Sequence, residues 1–296
     1  MKKILVTGAS GKIASLLIPK LATHQDLIVR AFGRDLNKLG FAQSKNIEFM
    51  QGAFENVEQV RASVKDIDTI VLITSANPKA DEQAHNVLTV ALEEGVSKIV
   101  RISVFKSAID GPTDITRLHG ITDMKIQNLG LAYVILRPGF YMQNLLFLSK
   151  ESLLKENKVY FGTGSGKFGM IDLRDIVDCA LQCTITEFFN NRIFTLTGPQ
   201  SISFQNIAER LTISLKREIK YVPVTPEIVQ RSIENKGMGE WYAKVMKDLC
   251  AAYSTNWGDS ITNDVEQIKG QTPRSFDTFA EEVFIPALNL GRSALK

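Results

Sequence analysis

The first fourteen residues constrain the fold more than any other part of the chain. The apolar run Lys3–Thr7 leads into Gly8 and Gly11, and a helical pattern follows. In such a strand, turn and helix, a diphosphate lies at the helix N-terminus, where free N–H groups and the dipole favour negative charge. Gly8 allows the turn, Gly11 lets the backbone approach the diphosphate, and Ala14 permits close packing of the helix on the strand. We therefore predict a dinucleotide site that includes Gly8, Ser10, Gly11, Lys12 and Ile13.

The spacing of this motif is a weak signal by itself, because it reads Gly-x-x-Gly-x-x-Ala rather than Gly-x-Gly-x-x-Gly. Its position strengthens it, since the turn follows an apolar strand, begins a helical pattern and precedes a second strand at 27–32. The alternative interpretation is an ordinary glycine turn of a βαβ unit.

The first half of the chain alternates strand and helix patterns. Strands are predicted at 3–7, 27–32, 47–50, 69–74, 98–103 and 132–137, and helices begin near Lys12, Asp35, Asn56, Lys79 and Asp114. Nearly continuous apolar strands are typical of a parallel sheet covered on both faces. The fold class is therefore α/β, a doubly wound (Rossmann) sheet with a smaller α+β C-terminal substrate domain. We place the nucleotide domain at 1–155, expect 170–200 to return to it, and assign 156–296 to the second, substrate- or partner-binding domain.

Ligands bind such sheets at the carboxyl ends of the strands. Arg34 follows the second strand, with no carboxylate before it in the turn, and an arginine there accommodates a 2′-phosphate, so NADP(H) is preferred over NAD(H). Asp35 is expected to cap the next helix. A solvated Arg-Asp turn is the alternative. Further cofactor contacts are predicted at the ends of the other strands, at Phe54, Thr74, Ser75, Ser103 and Pro138, although Phe54 is equally suited to the core.

Several motifs resemble the NmrA-like branch of the atypical short-chain dehydrogenases. They are the opening Val-Thr-Gly-Ala-Ser-Gly and the stretches at 94–100, 136–144, 169–176 and 194–199. The match extends to about Pro226. Members of this branch include NADPH-dependent quinone oxidoreductases, triphenylmethane- and azo-dye reductases, and regulators that bind the dinucleotide without known turnover. The resemblance implies NADP on the glycine turn and Arg34, and it leaves the reaction open.

One departure from the wider dehydrogenase pattern bears on the reaction. Extended members carry Tyr-x-x-x-Lys followed four residues later by Glu; aligning Asp123 with that Glu places Ile115 at the tyrosine and His119 at the lysine. Alcohol oxidation needs an acid or base beside the oxygen. Because Ile115 stands in place of the tyrosine, there is no phenol to act as one, and alcohol oxidation is disfavoured. His119 is a candidate for polarising the acceptor or bonding a ribose hydroxyl; a helix-surface histidine is the alternative.

These residues favour an NADPH-dependent reductase of a quinone or of an azo or triphenylmethane dye. The predicted acceptor pocket consists of Phe140, Tyr141, Asn144 and Phe147, and Tyr141 is a second candidate catalytic residue after His119. The alternative is a non-catalytic NADP(H) sensor whose second domain binds a partner.

Composition sets limits on the remaining function classes. The net charge of +3 comes without a basic run, so nucleic acid and membrane partners are not expected. A cytoplasmic location is expected, because no signal peptide or long apolar run is present. We also expect a monomer or homodimer that acts on a small molecule. The three cysteines are interpreted as buried thiols, and no metal site is expected.

Overall fold

The computed structural model of the chain describes residues 1–39 and 44–293. Two compact units are present, Met1–Arg137 with Ile176–Thr195, and Pro138–Asp175 with Leu196–Lys296. The first unit thus ends before the predicted boundary at 155, and its second segment lies inside the predicted 170–200.

The early boundary has a local cause in the backbone hydrogen bonds that follow Arg137. Gly139 N–H donates to the carbonyl of Leu196 at 2.8 Å, and Ile171 N–H donates to the carbonyl of Phe140 at 2.9 Å. The chain that follows Arg137 is therefore hydrogen-bonded to other segments of the second unit.

The strands begin and end close to the predicted positions. In chain order they are β1 (Lys2–Thr7), β2 (Leu27–Gly33), β3 (Ile47–Gln51), β4 (Thr69–Leu72), β5 (Lys98–Ile102), β6 (Ala132–Pro138), β7 (Lys158–Phe161), β8 (Phe168–Gly169), β9 (Arg192–Leu196), β10 (Ser201–Ile202) and β11 (Lys220–Pro223).

The helices carry recognisable start signals, such as reciprocal side-chain caps at Thr113 and at Ser203. In chain order they are α1 (Ala14–Leu21), α2 (Val57–Val64), α3 (Ala80–Glu93), α4 (Asp114–Gln127), α5 (Asn144–Glu156), α6 (Leu173–Ile185), α7 (Phe204–Leu215), α8 (Pro226–Asn235), α9 (Glu240–Ser254), α10 (Asp264–Lys269), α11 (Phe276–Phe279) and α12 (Ile285–Ser293), with a π-helical turn at Ala280–Phe284.

The helix expected near Asp35 is only a 3-10 turn, Leu36–Lys38. Asp35 caps it as predicted, because its Oδ1 accepts a hydrogen bond of 3.0 Å from the N–H of Asn37. The residues that would extend this helix, 40–43, lie outside the described residues.

The main sheet has seven strands in the order β3-β2-β1-β4-β5-β6-β9. Strands β1 to β6 pair in parallel. The strand order reverses between β1 and β4, and doubly wound sheets bind ligands beyond the carboxyl ends of the strands at such a point. The predicted doubly wound fold is confirmed.

The second unit is built around an aromatic core rather than a large sheet. Its strands form two small pairs, β7 with β11 and β8 with β10. Phe140 packs edge-on against Phe161, Phe168 and Tyr253, with ring centroids 5.6–6.2 Å apart. The helices α7 to α9 supply much of the surrounding apolar surface.

The burial of the cysteines agrees with the expectation from composition. Cys179, Cys183 and Cys250 are buried thiols. Across residues 1–39 and 44–293, no helix is long and apolar enough to span a membrane. The same residues contain no cluster of three or more potential metal ligands.

Candidate functional site

The turn between β1 and α1 requires glycine at two positions. Gly8 has a φ of +65°, and a Cβ there would lie 3.2 Å from the carbonyl oxygen of Ile73. A Cβ on Gly11 would lie 3.0 Å from the carbonyl oxygen of Gly8, which accepts a 2.8 Å hydrogen bond from Gly11 N–H. Side chains at either position would strain this turn.

The same turn fits an anionic group. Ser10, Gly11 and Lys12 are exposed, whereas the flanking Ala9 and Ile13 are buried. Helix α1 starts without a side-chain cap and without an acidic residue in its first turn. Its first N–H groups and the positive end of its dipole therefore favour a phosphate.

The threonine that precedes the turn ties the two central strands together. Thr7 is buried, its Oγ1 donates to the carbonyl of Ile73 at 2.9 Å, and the N–H of Ile73 donates back to Oγ1 at 2.8 Å. These reciprocal bonds fix the ends of β1 and β4, where the strand order reverses. The sequence analysis did not assign this role to Thr7.

Arg34 is exposed immediately after β2, and its carbonyl accepts a 3.0 Å bond from Gln51. A carboxylate lies in its vicinity. The pKa of Glu55 is lowered by its own backbone N–H, then by Gln83, which donates to Glu55 at 2.7 Å, and further by the charges of Arg34 and Lys79; slight burial opposes them. Glu55 was not singled out from the sequence, although its neighbour Phe54 was.

The other predicted contacts in the first unit differ in exposure. Phe54 is half-buried, with its ring edge-on to Phe32 at a centroid distance of 5.8 Å, so part of it belongs to the core. Ser75 is exposed. Thr74 is half-buried, and its Oγ1 accepts a bond of 3.1 Å from Arg101.

A buried carboxylate on α4 gathers polar groups from the ends of two strands. Oδ2 of Asp123 accepts bonds from Ser103 at 2.9 Å, from Ser107 at 2.6 Å and from the Nε of Arg137 at 3.0 Å. Asp123 and both serines are buried. The hydroxyl of Ser103, predicted to contact the cofactor, thus already donates to Asp123.

His119 lies one turn before Asp123 on the same helix and is buried, so the helix-surface interpretation is wrong. Only 6 % of the residue is exposed. Its Nδ1 lies 3.2 Å from Nη2 of Arg101, a β5 residue with no exposed surface. Burial first, and then the Arg101 charge, lower the pKa of His119 well below its usual value. We call Arg101, Ser103, Ser107, His119, Asp123 and Arg137 the β5–α4 cluster.

The predicted acceptor residues all lie in the second unit, as does Pro138, which was predicted to contact the cofactor. Pro138 and Phe140 are buried, the latter in the aromatic core. Tyr141 is half-buried and its backbone bridges to Ile171. Asn144 is the half-buried first residue of α5.

Phe147 is the most exposed of them, with 40 % of its surface accessible. Lys236 lies over its ring, with Nζ 4.4 Å from the centroid, and donates to the carbonyl of Phe147 at 3.1 Å. Beside them is an open groove of about 440 Å³ whose lining includes Glu151, Ile228 and Arg231. Phe147 therefore borders a polar surface groove.

Comparison with known proteins identifies the family of the nucleotide-binding part. Residues 8–145 match the model of a family described as NAD(P)H-binding. The matched segment begins at Gly8 of the glycine turn. The match lies mostly within the first unit, which is therefore an NAD(P)H-binding domain.

Several relatives of the whole chain are oxidoreductases by name. The NAD(P)H azoreductase of Xenophilus azovorans is 28% identical over 278 residues, which are 94% of this chain and 96% of that protein. The structure of an Escherichia coli NADPH-dependent quinone oxidoreductase complexed with NADPH matches with a TM-score of 0.85 at 18% identity, covering 95% of this chain and 99% of that one. The triphenylmethane reductase of Citrobacter sp. complexed with NADP(H) matches with a TM-score of 0.83 at 19% identity, covering 95% and 100%.

At these identities the two structures establish the fold. Together with the family match and the azoreductase relative, they confirm the resemblance to NmrA-like proteins. As predicted, the chain is similar to NAD(P)H-dependent oxidoreductases over nearly its whole length.

Proposed function

We propose that this protein is an NADPH-dependent reductase that delivers hydride to an electron-poor acceptor, either a quinone or an azo or triphenylmethane dye. The observation that carries the proposal is the state of His119. It replaces the lysine of the dehydrogenase pattern, Ile115 replaces the tyrosine, and the histidine is buried against a guanidinium. Neither residue is a ready proton donor, so the reaction is one that does not need a strong acid.

The first unit has the residues to hold the cofactor. The backbone at Ser10, Gly11 and Lys12, with the start of α1, would bind the diphosphate. Arg34 would pair with the 2′-phosphate through charge-assisted hydrogen bonds. The remaining contacts are assigned to Ile13, Phe54, Thr74, Ser75, Ser103 and Pro138. A bound dihydronicotinamide supplies the hydride.

The acceptor must itself stabilise the incoming charge. A quinone delocalises it over the ring and the second carbonyl, whereas a simple ketone becomes an alkoxide that needs stabilisation as it forms. Orientation of such an acceptor is then the main contribution of the protein, and water supplies the proton. We assign this orientation to His119; Tyr141, Asn144, Phe140 and Phe147 are the acceptor residues that the sequence predicts in the second unit.

The direct test is oxidation of NADPH against a panel of quinones, azo dyes, triphenylmethane dyes, aldehydes and ketones. We expect turnover of quinones or dyes and little of aldehydes and ketones. NADPH binding without oxidation by any acceptor would contradict the proposal and support the sensor alternative. Brisk ketone reduction would reveal an unassigned proton donor.

The two candidate catalytic residues provide a second test. His119→Ala and Tyr141→Phe should each lower quinone reduction by about tenfold or less, compared with the ~10²–10⁴ expected of an essential proton donor. Steady-state kinetics with one quinone and a matched ketone measure this effect. A thousandfold loss in either variant would show that its side chain donates the proton.

A further inference from the structure

Arg101 is a charged residue in the interior of the main sheet. Its strand, β5, lies between β4 and β6, and the residue has no exposed surface. Burying a guanidinium is unfavourable unless its N–H groups find acceptors. Nη1 donates to Thr74 Oγ1 at 3.1 Å and to the Leu72 carbonyl at 3.4 Å, while Nη2 points to Nδ1 of His119 at 3.2 Å.

The last contact determines which nitrogen of His119 carries the proton. A guanidinium has only donors, so Nδ1 must act as the acceptor, and a ring nitrogen that accepts carries no proton. The ring is then neutral, with its proton on Nε2. Among the described residues, the contact to Arg101 is the hydrogen bond that His119 makes, so Nε2–H remains available to a bound molecule.

Other charged groups around α4 are engaged elsewhere. Asp81 of α3, the helix packed beside α4, binds Lys125 at 2.8 Å. Asp123 binds Arg137 and two serines. In the segment before α4, Lys106 lies over the ring of Phe105, 5.2 Å from its centroid. Arg101 is therefore the charged group that acts on the ring of His119.

We propose that Arg101 is a positioning residue that fixes His119 as a neutral ring with its proton on Nε2, so that His119 holds the acceptor by a hydrogen bond and does not protonate it. The role in holding the acceptor rests on the proposed reductase function. The tautomer does not, because it follows from contacts within the first unit.

The experiment is NMR of the full chain labelled with a nitrogen isotope in its histidine rings. The chain has three histidines, His24, His85 and His119, so a His119→Gln spectrum assigns the signal. In the parent, we expect His119 to be protonated on Nε2 only, with its titration displaced well below the ordinary pKa of a histidine. In Arg101→Met, Nδ1 loses its donor, so the second neutral tautomer should appear and the pKa should rise because a neighbouring positive charge is removed.

Two variants separate this role from a general effect on the fold. Arg101→Lys keeps a charge and a donor, and it should restore the Nε2–H form. Arg117 lies on α4, the helix that carries His119, and it binds Asp114 and the Gly111 carbonyl. Arg117→Met should leave the His119 signal unchanged.

A parent ring protonated on Nδ1, or titrating near its ordinary value of about 6.5, would overturn the proposal even if Arg101→Met does not fold. An unchanged tautomer in folded Arg101→Met would overturn it as well. Quinone kinetics test the second step: the rate of the parent should not follow a histidine titration, whereas that of Arg101→Met should. If the NMR result holds and no quinone or dye is reduced, the proposed function fails and the tautomer assignment remains.

Discussion

The glycine turn and the β5–α4 cluster are two regions of the same unit that are built in opposite ways. The turn consists of consecutive exposed residues, and its binding groups are backbone N–H groups at the start of α1. The cluster consists of side chains from β5, the following segment, α4 and β6, and all of them are buried except the half-buried Arg137. Local sequence therefore specifies the turn, whereas the cluster exists only once the sheet and α4 have packed.

This difference predicts different responses to substitution. A change in the turn should affect ligand binding more than folding, because the turn is solvent-exposed. A change in the cluster should affect folding first, because it leaves buried donors or charges without partners.

The largest effect is expected from Asp123→Ala. This change removes the hydrogen-bond acceptor that Ser103 and Ser107 share, and it removes the buried carboxylate that pairs with Arg137. The free energy of unfolding should fall by about 3–5 kcal/mol, measured by urea denaturation. Arg61→Ala is the control, because its pairs with Glu93 and Glu94 are at the surface, and it should lose far less stability. Equal losses of unfolding free energy in the two variants would mean that Asp123 contributes no more to stability than a surface ion pair does.

The next effect is expected from Gly11→Val, which should weaken both NADPH and NADH by about 100-fold or more because a branched side chain occupies the approach of the diphosphate. Nucleotide fluorescence titration measures it. Gly95→Val is the control, since Gly95 also has a positive φ but a Cβ there meets nothing within 4 Å. It should lose stability and keep cofactor affinity; near-normal affinity in Gly11→Val would exclude the turn as the binding site.

Arg34→Ala should change which cofactor binds. Loss of charge-assisted hydrogen bonds should weaken NADPH by about 10- to 100-fold and leave NADH nearly unchanged. Calorimetric titration with both cofactors measures the preference, with Arg61→Ala as an exposed-arginine control. Equal losses for both cofactors would refute the 2′-phosphate assignment.

The smallest effect concerns the pH dependence of stability. Because the folded pKa of His119 lies well below the ordinary 6.5, the unfolded chain takes up a proton first as the pH falls. The stability that the neutral ring of His119 contributes is fully present above about pH 6.5. Below that pH the free energy of unfolding falls, by up to about 1.4 kcal/mol per pH unit, until the folded ring also titrates. Measured by urea denaturation, the free energy of unfolding should fall less steeply with decreasing pH in His119→Gln than in the parent. An unchanged slope in His119→Gln would contradict the lowered pKa.

Much of the first unit could be predicted because its signals are local. Strands β1 to β6 are short apolar runs, and the turn at Gly8 follows from the conformations that only glycine adopts easily. The cap at Asp35 also depends on a contact two residues away. Such features need only neighbouring residues, so the sequence by itself determined them.

The tertiary structure decided what the polar residues of the interior do. Arg101 is 18 residues from His119, and Ser103 is 20 residues from Asp123, and in each case the contact forms because α4 packs where β5 ends. The sequence pattern permitted both a surface and a functional histidine at 119. Packing removed the water from around it and placed a guanidinium at Nδ1, and these two physical changes set its protonation.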